Sequence, residues 1–326
     1  MGSLVKRVEN LFKKIKSLQI IPLVYKEYQT IHKIAKYHSN LAIVGMTEHI
    51  GDIIASEPVA RFLTQQKKQR VIWIVNKKFA ELLRYNPNIY TIIEISSLSE
   101  WIYLKKLLSW KTNFPIHDLH LNLKICPQYK LQVHNYTRVD ITPENYYNEG
   151  PLLTIFCLVG GLPALKMAPQ FYLPPIEKRK NLNLPQKYIA IQTTSNEARR
   201  CWDLKKWEVL INYFHDFTFI ELGIKPTLHC KNCISDYCGK TSLLDVAQII
   251  EGCQLFIGID SSFAHLANAF AKNSIILLGK FATFDYYMPY SGNFENPKIA
   301  TIFHHSNIVY NLPVKDVIQA VTEKLH

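Results

Sequence analysis

Small and capping residues predict a turn at residues 258–262, Gly-Ile-Asp-Ser-Ser, within a largely apolar stretch that runs from residue 254 to residue 279. The apolar run before the turn is typical of a buried strand, and residues 263–271 carry apolar side chains at helical spacing. The pattern predicts a strand–turn–helix–strand unit, whose helix begins at the carboxyl edge of a parallel sheet. Free backbone N–H groups and the positive end of the helix dipole collect there, so the turn is a candidate phosphate site.

The side chains in and after this turn suit an oxyanion. Ser261 and Ser262 can cap the helix and can also donate their hydroxyls to an anion. His265 lies about one turn into the helix, so its ring can reach the same edge. In a second interpretation Asp260 and the serines only cap a helix, and His265 is a core histidine. The local pattern alone leaves both interpretations open.

Two separated motifs resemble those of glycosyltransferase family 9, which contains the lipopolysaccharide heptosyltransferases. The first motif comprises Gly239–Leu243, Gly258–Ser262 and His265–Ala267, and the second is Ile50–Asp52 followed by Pro58. Ser262 replaces the glycine that is usual in this family. The resemblance covers residues 41 to 312 and implies an inverting, metal-independent transfer of a sugar from a nucleotide-diphospho-sugar.

The resemblance implies Asp52 as the general base that takes the proton of the acceptor hydroxyl. A carboxylate in a loop at the carboxyl edge of a sheet can do this. Position alone also fits a helix N-cap aspartate, and the paired downstream motif favours the base. Glu48, His49 and Gly51 are the candidates on the acceptor side.

The second half of the chain carries the candidate donor site. Its residues are Thr193, Thr194, Arg200, Glu221, Asp260, Ser261, Ser262, His265 and Lys280. Arg200 stands where the family usually has a lysine, and a guanidinium can bind phosphate with two hydrogen bonds. Glu221 ends a predicted strand, where an acidic residue can hold a ribose hydroxyl. Lys280 replaces a proline of the family and is a candidate phosphate contact.

Strand and helix patterns alternate along the chain, which predicts an α/β protein with parallel sheets. In the first half the predicted strands are residues 41–44, 71–75, 89–95 and 119–123, with a helix over residues 53–65. The resemblance implies the GT-B architecture, in which two Rossmann-like domains face each other across a cleft. The predicted domains are a helical extension (1–40), an acceptor-binding domain (41–175) and a nucleotide-sugar-binding domain with a closing C-terminal helix (176–326).

The extension is strongly basic. Residues 1–40 contain eight Lys or Arg against two Glu, which accounts for +6 of the net charge of +12. Residues 4–18 have the apolar stripe of an amphipathic helix, and a second helical stretch covers residues 24–37. A basic amphipathic helix suits an anionic membrane surface, so residues 4–37 are a candidate membrane contact. The alternative is packing on the chain's own domain or on a second subunit in a homo-oligomer.

The composition of the chain indicates which partners and which cellular compartment to expect. The net charge of +12 and the pI of about 9.2 favour acidic partners such as nucleotide diphosphates and phosphorylated glycolipids. Nucleic acid is not favoured, because the aromatic residues are not interleaved with basic ones. Seven unevenly spaced cysteines argue against a disulfide framework and for the cytoplasm. A peripheral position on the inner face of the cytoplasmic membrane is expected from the acceptor that the resemblance implies. We expect neither a transmembrane helix nor a signal peptide.

Cys230, Cys233 and Cys238 form the one metal-like cluster in the sequence. Only one C-x2-C pair is present, whereas the strong form of a zinc site has two, so free thiols are favoured. We expect catalysis without a metal and without a cofactor other than the sugar donor.

The sequence therefore predicts a glycosyltransferase that moves a heptose-like sugar to a lipopolysaccharide, or to a related glycolipid or oligosaccharide acceptor. ADP-heptose is the donor by resemblance only. Two alternatives stay open. One is another GT-B enzyme, either a nucleotide-sugar epimerase or a transferase with a different donor. The other is a catalytically inactive scaffold that binds polyanions.

Overall fold

The structure, a computed structural model, describes residues 2–284, 286–304 and 309–325. The chain divides into two compact units, Met1–Glu149 with Leu153–Leu165 and Gly150–Leu152 with Lys166–His326. Each unit is built on its own parallel sheet. The predicted fold class, α/β with two parallel sheets, is confirmed.

The first unit has a four-stranded sheet in the order β3-β2-β1-β4. Its strands are β1 Leu41–Gly45, β2 Arg70–Asn76, β3 Thr91–Ile95 and β4 Ile116–Asp118. Its α-helices are α1 Gly2–Lys16, α2 Ile21–Ala35, α3 Ile50–Ala55, α4 Glu57–Arg61, α5 Leu98–Lys111 and α6 Leu152–Val159. A π-helical turn covers Phe62–Gln66, and 3-10 turns cover Ser17–Ile20, Lys77–Leu82 and Tyr146–Glu149.

The second unit has a six-stranded sheet in the order β10-β9-β8-β5-β6-β7. Its strands are β5 Ile189–Gln192, β6 Phe219–Glu221, β7 Cys233–Ile234, β8 Leu255–Ile259, β9 Ser274–Leu278 and β10 Ala300–His304. Its α-helices are α7 Leu204–Tyr213, α8 Leu243–Gly252, α9 Ser262–Ala269 and α10 Val314–Leu325. Short 3-10 turns cover Ile176–Lys178, Ala198–Arg200, Gly292–Glu295 and Val309–Asn311.

Every residue of β1, β8 and β9 is buried, as expected for parallel strands that are covered on both faces. The first core centres on Trp101 of α5, which packs with Ile43, Ile72 and Leu104. The second core centres on Trp202 and Trp207, whose rings meet edge to face at 5.1 Å. The two sheets are thus held by separate apolar clusters.

Two expectations for the first unit were wrong in detail. The predicted strand at residues 119–123 is not a strand, because β4 ends at Asp118 and the chain turns through Leu123, which has a φ of 64°. The predicted single helix over residues 53–65 is divided into α3, α4 and a π-helical turn. Pro58, which has no backbone N–H to donate, lies in the first turn of α4 and explains the break.

The N-terminal helices α1 and α2 differ in packing. Helix α2 buries Val24 and Ile31 in the first core, whereas Leu11, Phe12 and Ile15 of α1 are each more than half exposed. The side chains of Leu4 and Val8, which the sequence places on the same apolar face, lie outside the described residues. Among the helices that the structure describes, none is long and apolar enough to cross a membrane.

Gly45 ends β1 directly beneath Trp101, and this contact yields a stability prediction. A Cβ at position 45 would lie 2.2 Å from the buried indole ring, so Gly45→Ala forces the ring or the strand to move. We expect the free energy of unfolding in urea to fall by about 1–3 kcal/mol. The control is Gly223→Ala, where the nearest atom is 3.7 Å away. Equal stability of both variants would contradict the packing described.

Candidate functional site

The predicted strand–turn–helix unit is present, and its turn lies at the carboxyl edge of the second sheet. Strand β8 ends at Ile259 and α9 begins at Ser262. Ser261 is the N-cap of α9, and its hydroxyl accepts a hydrogen bond from the N–H of Ala264 at 3.4 Å. The same hydroxyl donates to the side-chain oxygen of Gln192, which ends the neighbouring strand β5. Two adjacent strand ends are therefore joined at this turn.

Asp260 is buried, with 7% of its surface exposed. Its carboxylate accepts hydrogen bonds from the hydroxyls of Tyr287 at 2.7 Å and Tyr290 at 3.4 Å. Arg200 Nη1 lies 3.4 Å from the same carboxylate. Burial raises the pKa of Asp260, and the charge of Arg200 and the two hydroxyls oppose that rise. The aspartate of the turn is thus held by three side chains and does more than cap the helix.

Arg200 pairs with the aspartate of this turn. Besides Asp260, its guanidinium meets Glu197 Oε2 at 3.7 Å, and its central carbon lies 4.0 Å from the centre of the Phe281 ring. One fifth of the side chain remains exposed. Contacts on several sides hold the guanidinium in place, as an anion-binding residue requires.

Other predicted donor residues lie deeper. Glu221 is 1% exposed, and its carboxylate accepts hydrogen bonds from Thr227 N at 3.0 Å, Ser235 Oγ at 2.6 Å and Thr193 Oγ1 at 3.2 Å. These internal donors occupy the carboxylate, so the side chain fastens β6 to the loop that follows it. His265 is also buried and packs its ring 4.8 Å from Tyr290. Glu221, Thr193 and His265 are therefore buried in this structure.

Thr194, Ser262 and Lys280 are partly exposed and lie at strand ends or next to them. Thr194 follows β5 by two residues, Ser262 is the first residue of α9, and Lys280 follows β9 by two residues. Because β5, β8 and β9 are neighbours in the sheet, the three side chains belong to one edge.

The sequence did not single out Tyr287 and Phe281, although both contact this network. A tyrosine in a loop has no pattern that identifies its partner. The spacing of 27 residues between Tyr287 and Asp260 becomes a contact only through the fold.

In the first unit, Asp52 is the third residue of α3 and is partly exposed. The N-cap of this helix is His49, so the N-cap interpretation of Asp52 is wrong. His49 is exposed and adopts a φ of 65°, a conformation that is uncommon for a residue other than glycine. Glu48 and Gly51, both partly exposed, complete the segment. A strained residue next to a candidate base is typical of functional loops.

A buried polar network lies against the start of this loop. His120 is 1% exposed, and its Nδ1 lies 2.7 Å from Asp118 Oδ1 while its Nε2 lies 3.1 Å from the backbone N of Thr47. Asp118 also accepts hydrogen bonds from Trp101 Nε1 at 3.0 Å and from Lys105 Nζ at 2.5 Å. Burial opposes the charge of Asp118, but the bonds from His120 and Lys105 outweigh burial and lower the pKa of this carboxyl.

Cys230, Cys233 and Cys238, the metal-like cluster of the sequence, lie in or near the short strand β7. Within the described residues, no set of three or more His, Cys, Asp or Glu side chains is arranged to hold a metal ion. Burial raises the pKa of Cys233 and of Cys238 to about 12. Cys238 instead donates its thiol to the backbone oxygen of Glu221 at 3.3 Å.

Comparisons with known proteins concern the family and the fold of the chain. Residues 153–296 match the model of glycosyltransferase family 9 (heptosyltransferase). Lipopolysaccharide heptosyltransferase 3 of Escherichia coli is 22% identical over 306 residues, which cover 84% of this chain and 90% of that protein. The resemblance to glycosyltransferase family 9 is confirmed. With it, the expected class of enzyme, a glycosyltransferase, is confirmed as well.

Solved structures share the fold. A family 9 glycosyltransferase from Veillonella parvula superposes with a TM-score of 0.64 at 15% identity and covers 88% of this chain and 97% of its own. The E. coli heptosyltransferase WaaC with ADP superposes with a TM-score of 0.55 at 13% identity and covers 87% and 99%. At these identities the likeness concerns the fold, and it supports the GT-B assignment.

The segment that matches the family 9 model includes one part of the candidate site and not the other. Every predicted donor residue, from Thr193 to Lys280, lies within residues 153–296. The predicted base Asp52 lies outside that range, as do Glu48, His49 and Gly51. The roles of both groups stay predictions.

Tyr287 gives a prediction that depends on pH. Tyr287→Phe removes a donor from buried, ionised Asp260, and we expect the free energy of unfolding to fall by about 1–3 kcal/mol at pH 7. The hydrogen bond from Tyr287 lowers the pKa of Asp260, so its contribution is present at neutral pH and is lost as the pH falls and Asp260 is protonated.

The measurement is urea unfolding of both proteins between pH 4 and pH 7, in which the two curves should converge at the acidic end. The matched control is Tyr286→Phe, because Tyr286 is 69% exposed and stacks on His304. A difference between wild type and Tyr287→Phe that stays constant with pH would contradict the role given to the carboxylate.

Proposed function

We propose that this protein is an inverting glycosyltransferase. It transfers a heptose-like sugar from a nucleotide-diphospho-sugar to a lipopolysaccharide or to a related surface glycan. The observation that carries the proposal is the Arg200–Asp260 pair at the carboxyl end of β8, within the segment that matches family 9. ADP-heptose is the proposed donor, supported by the relative whose structure contains ADP. A lipopolysaccharide acceptor is supported by the relative named lipopolysaccharide heptosyltransferase 3.

The donor diphosphate needs positive charge at the moment it leaves. Arg200 offers guanidinium donors, and the first backbone N–H groups of α9 point out of the helix next to Ser261 and Ser262. Lys280 is a further cation at the same sheet edge. Preorganised donors of this kind stabilise developing negative charge without reorganising during the reaction. In the proposed mechanism they do the work that a divalent metal performs in other transferases.

Asp52 acts on the acceptor in the proposed mechanism. Its carboxylate takes the proton of the acceptor hydroxyl as that oxygen bonds to the anomeric carbon of the sugar. The bond from the anomeric carbon to the diphosphate breaks in the same step, and the nucleoside diphosphate leaves with the bonding electrons. A single displacement of this kind inverts the configuration at the anomeric carbon.

Asp52→Asn tests the base directly, because it keeps the shape of the side chain and removes its basicity. We expect transfer from ADP-heptose to fall by about 10²- to 10⁴-fold, the usual contribution of a general base. The affinity for ADP, measured by titration calorimetry, should stay unchanged. Transfer by Asp52→Asn at the wild-type rate would contradict the assignment of Asp52 as the base. Failure of the wild-type protein to bind ADP would favour the catalytically inactive scaffold.

A membrane position belongs to the same proposal. Leu11, Phe12 and Ile15 are exposed on α1, and Lys13, Lys14 and Lys16 lie in its last turn. A helix that exposes apolar side chains beside basic ones binds an anionic interface with its axis in the membrane plane. We propose that α1 contacts the inner face of the cytoplasmic membrane, where a glycolipid acceptor would be presented.

Vesicle sedimentation tests this contact with the full chain. We expect binding to vesicles that contain phosphatidylglycerol, weaker binding at high salt, and little binding to phosphatidylcholine alone. Replacing Leu11, Phe12 and Ile15 with Ser should reduce binding at least tenfold. The control replaces Val209 and Tyr213, which are 50% and 60% exposed on α7. Unchanged binding of the α1 variant would contradict the proposal.

A further inference from the structure

The buried polar network in the first unit has no part in the mechanism given above. Asp118 and His120 lie at the end of β4, and both are at least nine-tenths buried. The side-chain N–H2 of Asn135 donates to the backbone oxygens of Asp118, His120 and Val159 at 3.1, 3.0 and 3.0 Å. The two residues are therefore fixed on a rigid base.

The contacts of His120 determine which of its nitrogens carries the proton. The backbone N–H of Thr47 lies 3.1 Å from His120 Nε2 and can only donate, and the Thr47 hydroxyl, 2.9 Å from the same nitrogen, can donate as well, so we assign Nε2 as the unprotonated acceptor. The proton then resides on Nδ1 and is donated to Asp118 Oδ1 at 2.7 Å. Burial lowers the pKa of His120, in agreement with a neutral ring, although the charge of Asp118 opposes that effect.

Thr47 lies at the start of the loop that leads to Asp52, and it is held from two sides. Its N–H donates to His120, and its backbone oxygen accepts from the N–H of Asn76 at the end of β2 at 3.1 Å. Two residues later His49 takes up its positive φ, and its backbone oxygen accepts from Ile53 N in the first turn of α3 at 3.1 Å. The position of Thr47 therefore determines where His49 and the first turn of α3 lie.

A structural role alone explains this arrangement poorly. Burying ionised groups such as Asp118 and Lys105 contributes little to stability, because their loss of hydration offsets their attraction. Apolar side chains of similar volume could fill the same space. The contacts from Lys105 to Asp118 and from Asp118 to His120 instead orient a hydrogen-bond acceptor, His120 Nε2, towards the backbone of Thr47.

We propose that His120 is a positioning residue that fixes the Asp52 loop through the backbone of Thr47, with Asp118 holding the imidazole in the tautomer that accepts. This inference rests on the proposed role of Asp52 as the base. His120 itself is 1% exposed, so we expect it to act through Thr47 and not by contact with a substrate. Because a reacting group misplaced by about 1 Å costs about 10²-fold in rate, loss of the Thr47 bond should appear in kcat.

Two substitutions separate the two ends of the imidazole. In His120→Asn the amide N–H2 takes the place of Nδ1, so the bond to Asp118 is kept and the acceptor for Thr47 is lost. In His120→Gln the amide oxygen takes the place of Nε2, so the acceptor for Thr47 is kept. The control is His117→Asn on β4, because His117 Nδ1 bonds to the backbone oxygen of Gly160 and not to the loop.

We expect His120→Asn to lower kcat for transfer by about 10²-fold at an unchanged KM for the sugar donor. His120→Gln and His117→Asn should remain within about tenfold of wild type, even if all three variants lose similar amounts of Tm. Equal losses of kcat in His120→Asn and His120→Gln, or wild-type kcat in His120→Asn, would overturn the proposal.

A second measurement does not depend on Asp52. In ¹⁵N NMR spectra of the wild-type chain, His120 Nε2 should resonate as an unprotonated nitrogen, and the amide of Thr47 should exchange slowly with solvent. The same amide should exchange slowly in His120→Gln and at least tenfold faster in His120→Asn. A protonated Nε2, or equal exchange in both variants, would overturn the positioning role. If the NMR results hold while Asp52→Asn is fully active, only the assignment of the base fails.

Discussion

The buried carboxylate of Asp260 is the constraint on which the candidate donor site depends. A carboxylate that is 7% exposed is strongly destabilising unless charge and hydrogen bonds compensate it. Here Arg200 supplies the charge, and Tyr287 and Tyr290 supply hydroxyls. These partners come from two loops, one after β5 and one after β9, so satisfying one carboxylate also fixes both loops around the start of α9. The cation that would meet a diphosphate is thus held in place before any ligand arrives.

The first unit uses a related device. Asp118 and Asp260 are both buried carboxylates at the carboxyl end of a parallel strand. Lys105 and the indole nitrogen of Trp101 hold Asp118. Arg200 and the hydroxyl of Tyr287 hold Asp260. The difference lies in the balance of forces. The partners of Asp118 outweigh burial and lower its pKa, whereas burial of Asp260 prevails and raises its pKa. Asp118 is therefore firmly ionised and suited to orienting His120, while Asp260 depends on its partners to stay charged.

The sequence predicted local features well and distant contacts poorly. The strand β9, the start of α9 and the cap at Ser261 follow from apolar runs and from capping residues, which act within a few positions. The capping box between Ser242 and Asp245 is of the same kind. In contrast, His120 contacts Thr47 across 73 positions and Trp101 contacts Asp118 across 17, and no periodicity encodes such pairs. The strand predicted at residues 119–123 failed because the polar side chains of His120 and Asn122 bond inward and the chain turns at Leu123.

The fate of Glu221 illustrates the same limit. Its place at the end of β6 fits a ribose contact, yet Thr227 and Ser235, six and fourteen residues further on, donate to its carboxylate. Which acidic residue at a sheet edge faces a ligand and which one fastens a loop is decided by the chain that folds over it. Charge and position narrow the choice, and the role of Glu221 towards a ligand stays a prediction.

The most direct test of the account is a crystal structure of the protein with ADP bound. We predict that the diphosphate lies within hydrogen-bonding distance of Arg200 and of the first backbone N–H groups of α9, with the Arg200–Asp260 pair preserved. A diphosphate bound away from the end of β8, or an Arg200 side chain that points away from it, would contradict the account.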